Sequence, residues 1–351
     1  MGRIVRQFNV ALGLAAALWM TSCAVRTGGS STTSSAPIEA IPSQAYSPEA
    51  GLQGRLIYTR GDQGIVSYDL ASGQITTVFQ PPPDSSLGSA TVSPDGKWIV
   101  MAYAPPPPSN SVQFSYTGLY VLPIDGSSEP TALFEGSAEK GELYSLPAWS
   151  ADGAYLYYGH VHPTTTEDRE DFGIGIERIQ YPDGPPEPLI KNAFWPRFSR
   201  DGSKMAYLEH RPGAAKLVIA AADGSNPTTP LHDREFFTVD SPTFSPDGKT
   251  IVFSAVTYSG QISSWWDNFL GMRIAQAHNV PSDLWSISTE GSTPQQLTKL
   301  GQLSMYPSYS PDGKHIAFLS LSGVYVMNPD GSDLVQLSSE GAAFGTLEWI
   351  P

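Results

Sequence analysis

The sequence predicts an all-β protein folded as a six-bladed β-propeller of four-stranded antiparallel blades. Three observations predict it. A turn motif, Ser-x-Asp-Gly, recurs with its aspartate at Asp95, Asp152, Asp201, Asp247 and Asp312, at spacings of 57, 49, 46 and 65 residues. A second turn follows most copies, at Asp125, Asp183, Asp223, Glu290 and Asp330, each after a strand-like run such as GLYVLP or GVYVMN. The composition is that of a chain punctuated by turns, with 33 glycines and 31 prolines among 351 residues and only 15% charged residues, against about 25% in an ordinary domain.

The first element is an address. Arg3 and Arg6 precede an apolar run, Val10 to Met20, of 11 residues. A bilayer-spanning helix needs about 20, so the run reads as the core of a signal peptide. It ends in Met20-Thr21-Ser22-Cys23, which resembles a bacterial lipobox with Met in place of the usual Leu. Cys23 is the sole cysteine, so no disulfide forms within one chain. Residues 1–22 are therefore expected to be removed, leaving Cys23 as the lipid-bearing first residue. Residues 23–53, rich in Ser, Thr, Gly and Pro, show no apolar period and read as a disordered tether. The expected location is extracytoplasmic, lipid-anchored to a bacterial membrane in the periplasm or at the cell surface.

Residues 54–351 carry the repeats. In Ser-Pro-Asp-Gly, proline pre-sets φ, aspartate suits the next position, and glycine supplies positive φ. Such a turn closes a tight hairpin. The pairs Asp95-Gly96, Asp152-Gly153, Asp201-Gly202, Asp247-Gly248 and Asp312-Gly313 are thus read as structural turns. The strands that follow, such as Trp98 to Tyr103 and Ile251 to Phe253, are apolar at nearly every position. A strand apolar on both faces must be covered on both, which sheets packed face to face around an axis achieve. Naming the strands of a blade A to D, an A strand precedes each of the five turns. A sixth, Thr346 to Trp349, ends the chain, and its missing B, C and D strands stand at Arg55 to Arg60, Ile65 to Leu70 and Gln74 to Phe79. The last strand is expected to close the first blade and remove the open sheet edges.

The repeats P/A-x-[WF]-S-P-D-G-K-x-I-[AV]-F and [IV]-Y-V-M-x-x-D-G resemble the propeller repeats of the TolB family, the WD40-like PD40 repeats, over residues 54–351. The resemblance implies the propeller. TolB itself carries an α/β domain ahead of its propeller, where this sequence has only the tether, so the resemblance does not carry TolB's envelope role.

Strand parity separates two faces. The A–B and C–D turns are short and alike. The B–C and D–A connections are longer and unlike: 104–117, 160–172, 210–215, 259–283, 80–87 and 232–240. Variable loops on a rigid scaffold are where function usually resides. The longest contains SSWWDNFLGMRIAQAH, residues 263–278, in which Trp265, Trp266, Phe269, Leu270, Met272 and Ile274 fall on one arc at helical spacing. Such a helix is marginal alone. It either caps its own propeller, anchors a protein partner through Trp265, Trp266, Phe269, Leu270 and Arg273, or enters the headgroup layer. Four histidines, His160, His162, His210 and His232, are expected on the same face, where three imidazoles and an acidic group would suit zinc or manganese. Their spacing matches no established metal motif, and solvated loop histidines are the simpler reading.

Acidic residues outnumber basic ones 34 to 20, a net charge of −14, which argues against nucleic acid. G-x-S-x-G, H-E-x-x-H and G-x-x-x-x-G-K do not occur. The expected function is a membrane-anchored extracytoplasmic binding or scaffold protein using the B–C/D–A face. Its expected partner is an envelope protein or a glycan, with no cofactor. The alternative is a hydrolase or lyase acting on an oligosaccharide at a loop-face histidine site.

Overall fold

A computed structural model describes residues 51–60, 64–107, 116–166, 169–211, 214–232, 235–257, 281–339 and 345–351. The signal sequence, Cys23, the tether and the segment holding Trp265, Trp266, Phe269, Leu270 and Arg273 lie outside the described residues.

Six antiparallel sheets stand around one axis. Blade 1 begins with β1 (Arg55–Arg60), β2 (Gly64–Asp69) and β3 (Ile75–Phe79). Blade 2 is β4 (Ser86–Val92), β5 (Trp98–Ala104), β6 (Gly118–Pro123) and β7 (Thr131–Phe134). Blade 3 is β8 (Leu143–Trp149), β9 (Tyr155–Thr166), β10 (Arg169–Gln180) and β11 (Glu187–Lys191). Blade 4 is β12 (Ala193–Phe198), β13 (Lys204–Arg211) and β14 (Ala214–Ala221), with a single outer bridge, Ile219 to Thr228, where a fourth strand would run. Blade 5 is β15 (Phe236–Phe244), β16 (Thr250–Thr257), β17 (Asp283–Ser288) and β18 (Gln295–Gln296). Blade 6 is β19 (Ser304–Tyr309), β20 (Ile316–Ser320), β21 (Gly323–Met327) and β22 (Val335–Ser338). The last strand, β23 (Leu347–Ile350), pairs with β1 in the register Leu56–Trp349 and Ile57–Glu348, closing blade 1 from the far end of the chain. The inner strands touch one another in an unbroken circle, β23 to β4, β8, β12, β15, β19 and back to β23.

Six hydrophobic clusters fill the six seams between blades, and the B strands explain them. In β5, Ile99, Met101 and Tyr103 point into the seam with blade 1, whereas Val100 and Ala102 point into the seam with blade 3. In β20, Ile316 and Phe318 pack toward blade 5, and Ala317 and Leu319 toward blade 1. The strand period of two thus sends alternate side chains into different cores, which is why these strands are apolar throughout.

Each Ser-x-Asp-Gly turn closes on itself. In the first, the Ser93 hydroxyl donates to Asp95 Oδ1 at 2.5 Å, Gly96 N–H donates to Ser93 O at 2.8 Å, and Trp98 N–H donates to the Ser93 hydroxyl at 3.0 Å. The glycines take φ between 66° and 74°, where a side chain would strain. Serine and backbone hydrogen bonds hold all five aspartates below their ordinary range, and Asp201, bonded by Ser199 and Ser203, falls to about 2.

Two connections differ from the sequence expectation. Residues 160–172 were expected as an irregular loop, yet β9 and β10 pair continuously from Tyr155–Gln180 to Thr166–Arg169, forming a hairpin with arms of 12 residues. Likewise β13 and β14 pair out to Arg211–Ala214. In both, the backbone pairing runs on past the seam through polar and small residues, so a reading based on apolar runs and turn-forming residues misses it.

Candidate functional site

The inner strands share a device that the turn motifs do not reveal. Five of them slip register midway, between Leu87 and Ala90, Ser145 and Ala148, Phe194 and Arg197, Asp240 and Thr243, and Met305 and Ser308. In four, a residue with positive φ precedes a proline: Leu146 (50°), Trp195 (62°), Ser241 (42°) and Tyr306 (57°). A bulge leaves an unpaired N–H, and proline, lacking one, is tolerated there. The sequence signal was present, as Pro147, Pro196, Pro242 and Pro307 all stand three residues before the Ser of the turn.

The freed groups bond across the seams. Ser89 Oγ accepts from Leu146 N–H at 2.8 Å, Ser241 Oγ from Tyr306 N–H at 3.1 Å, and Ser308 Oγ from Trp349 N–H at 3.0 Å. Thr346 Oγ1 accepts from Ala90 N–H at 2.8 Å and donates to Ala90 O at 2.6 Å. Arg197 reaches from blade 4 to Pro147 O of blade 3 at 3.3 Å.

Three of these bulges, in blades 4, 5 and 6, line a cavity of about 210 Å³ that β23 of blade 1 completes. Trp195, Arg197, Ser241, Tyr306, Thr346 and Glu348 face it. Glu348 also bonds blade 2, accepting from Val92 N–H at 2.8 Å and from the Thr91 hydroxyl at 2.7 Å. Burial raises the Glu348 carboxyl, and Arg197 pulls it back down. Burial lowers the Arg197 guanidinium in turn, against the support of Glu348. Asp240, beside the bulge of blade 5, is pushed by burial up to about 7 despite a hydrogen bond from Ser241 N–H. Burial and the Asp240 carboxylate raise the Tyr306 phenol. The Trp195 and Tyr306 rings lie 5.8 Å apart at 25°, and the buried indole N–H of Trp195 meets no acceptor. The cavity is therefore lined by a buried guanidinium, one carboxyl group of raised proton affinity and an indole N–H without an acceptor, with the Asp240 carboxyl beside it.

The histidines divide. His160 and His162, two apart on β9, come together with ring centroids 5.2 Å apart. His210 stands on β13 of the next blade opposite Ala215, and His232 lines an outer groove of about 760 Å³ between blades 4 and 5 with Glu235 and Thr289. The four histidines thus stand on β9, on β13 and in an outer groove. No group of three or more His, Cys, Asp or Glu side chains suited to a metal occurs among the described residues.

No family model matches the sequence. An uncharacterized protein of Agrobacterium fabrum is 23% identical over 302 residues, which are 81% of this chain and 87% of that protein. Among solved structures, TolB from Acinetobacter baumannii superposes with a TM-score of 0.58 at 16% identity, over 85% of this chain and 67% of that one. A putative TolB from Agrobacterium tumefaciens gives 0.55 at 19% identity, over 85% of this chain and 99% of that one. A chain of a nidogen/laminin complex gives 0.56 at 10% identity, over 84% and 97%. The fold is that of a TolB-like six-bladed propeller, as the repeats implied.

Proposed function

We propose that this chain is an extracytoplasmic, lipid-anchored binding or scaffold protein that engages its partner, an envelope protein or a glycan, through the B–C/D–A face. The single observation that carries this reading is the contrast between the two faces. One is built of short turns that satisfy their own polar groups and offer a partner little. The other holds connections that range from the tight Leu321–Ser322 link to the run from 258 to 282. A rigid ring with one variable face is the construction of a recognition module. Similarity to TolB structures, whose proteins work in the cell envelope, supports the location, as does the lipobox-like Met20 to Cys23.

Two measurements test it together. Cys23→Ser should release the protein from the membrane fraction of cells while leaving its melting temperature unchanged. A photo-cross-linker placed at Pro106, on the variable face, should give a discrete adduct in intact cells, and one at Lys249, on the turn face, should not. Equal adducts from both positions, or a Cys23→Ser protein still held in the membrane, would overturn the reading.

A further inference from the structure

The cavity that β12, β15, β19 and β23 enclose is lined by a layer of side chains that the repeat puts in register. Arg197, Thr243 and Ser308 each stand two residues before the Ser of their turn, and Glu348 precedes Trp349 as Arg197 precedes Phe198. All four line the cavity and stay partly exposed, so they are not sealed in the seams. Blades 4 and 1 are three apart in a ring of six, so the strands of Arg197 and Glu348 stand on opposite sides of the axis. The layer runs from a cation, past two hydroxyls, to an anion.

The guanidinium is oriented but not used up. Its Nη1 donates to Pro147 O at 3.3 Å and to Pro196 O at 3.2 Å. Its Nε and Nη2 meet no acceptor among the described residues, and neither is enclosed. Those two N–H groups form the side-on edge of a guanidinium, which matches the two oxygens of a carboxylate. Glu348 does not take that place. It accepts from Val92 N–H and from the Thr91 hydroxyl, and it acts on Arg197 through space with no hydrogen bond between them. Each of its oxygens keeps a further lone pair. The Ser308 hydroxyl accepts from Trp349 N–H and keeps its own proton to donate, and Thr243 adds a second hydroxyl to the wall.

At about 210 Å³ the space is smaller than the pockets of about 300–1,000 Å³ that take drug-sized molecules. Opposite charges held apart around so small a space suit a ligand that carries both. A lone carboxylate would meet Glu348 uncompensated, and a lone amine would meet Arg197. We propose that this cavity binds a small zwitterion of the α-amino acid class, its carboxylate on the Nε–Nη2 edge of Arg197 and its ammonium directed at Glu348, with Thr243 and Ser308 between them. The site is built from the inner strands alone and stands whether or not the unlike connections bind a partner.

Calorimetric titration of the full chain at neutral pH tests this, with L-alanine, L-serine and L-threonine as probes. Propionate and ethylamine, which keep the alanine skeleton but only one of its charges, are the controls. At least one of the amino acids should bind at one equivalent, and both controls should bind at least about 10-fold more weakly, as the loss of one charge-assisted contact demands. Arg197→Lys keeps the charge but not the two-pronged edge, and should weaken the amino acid by about 10-fold or more. Glu348→Gln puts a neutral group in the same place, and should shift the preference from the amino acid toward propionate. The wild-type controls decide the matter even where a variant fails to fold. No binding of any of the three amino acids, a control that binds as tightly as they do, or a folded Arg197→Lys or Glu348→Gln chain with wild-type affinity and preference would overturn the proposal.

Discussion

The turn face and the axial ring are made by the same inner strands, one at their ends and the other at their middles, yet they follow different rules. At the turns each copy solves its problem alone. In every copy the Ser hydroxyl donates to the Asp carboxylate and the same few backbone groups close the turn, so five copies look the same. At the axis no blade is self-sufficient. A hydroxyl in one blade answers an N–H in the next, and the residues at equivalent bulges range from serine to tryptophan. Local bonding preserves a motif, whereas bonding between neighbours lets each position specialise.

Three substitutions probe this contrast, beginning with the strongest. Trp349 is 7% exposed, donates its indole N–H to Gln53 O at 2.9 Å, and packs in the seam between blades 6 and 1. Trp349→Ala should cost about 3–5 kcal/mol in urea unfolding, the usual price of truncating a buried aromatic. A loss below about 1 kcal/mol would mean that the ring does not depend on its closing strand.

Glu348→Ala comes next. It strands Val92 N–H, the Thr91 hydroxyl and the Arg197 charge at once, and should cost about 3 kcal/mol. Coupling Glu348→Leu with Arg197→Met should recover most of that loss, since both charges then leave together. If the double variant is no better than the sum of the singles, the two groups are not energetically joined.

The smallest effect is set by pH. Asp240 is raised to about 7 in the fold, against about 4 in an unfolded chain. The folded state therefore holds a proton that the unfolded state gives up. Stability from this group is fully present below pH 4 and is lost as pH climbs toward 7. Asp240→Asn should flatten that part of the profile and stabilise the chain at pH 8 by about 1–2 kcal/mol, allowing for partial solvent access. An unchanged profile between pH 4 and 7 would show that Asp240 is ionised in the fold.

The same contrast explains what was readable in the sequence. The ring, its six blades and the closure by Trp349 follow from turn residues and strand period, which are local properties. The axial cavity does not, because Arg197 and Glu348 lie 151 positions apart and meet only once the circle is complete. Their one local trace is the proline three residues ahead of four of the five turns. His160 and His162 were visible as a pair, but the partner of His160, Glu177, reaches it only through the β9–β10 ladder. The indole-rich segment around Trp265 and Trp266 lies outside the described residues, so the structure does not test it.

One detail of the closure bears on orientation. Gln53 and Gly54 are pinned at the end of β23, with Gly54 O accepting from Leu70 N–H at 3.1 Å, so residues 51–54 lie on the side of the uniform turns. A chemical handle or surface coupled at that end would hold the ring by its uniform side and leave the unlike connections at the far end free to meet a second molecule.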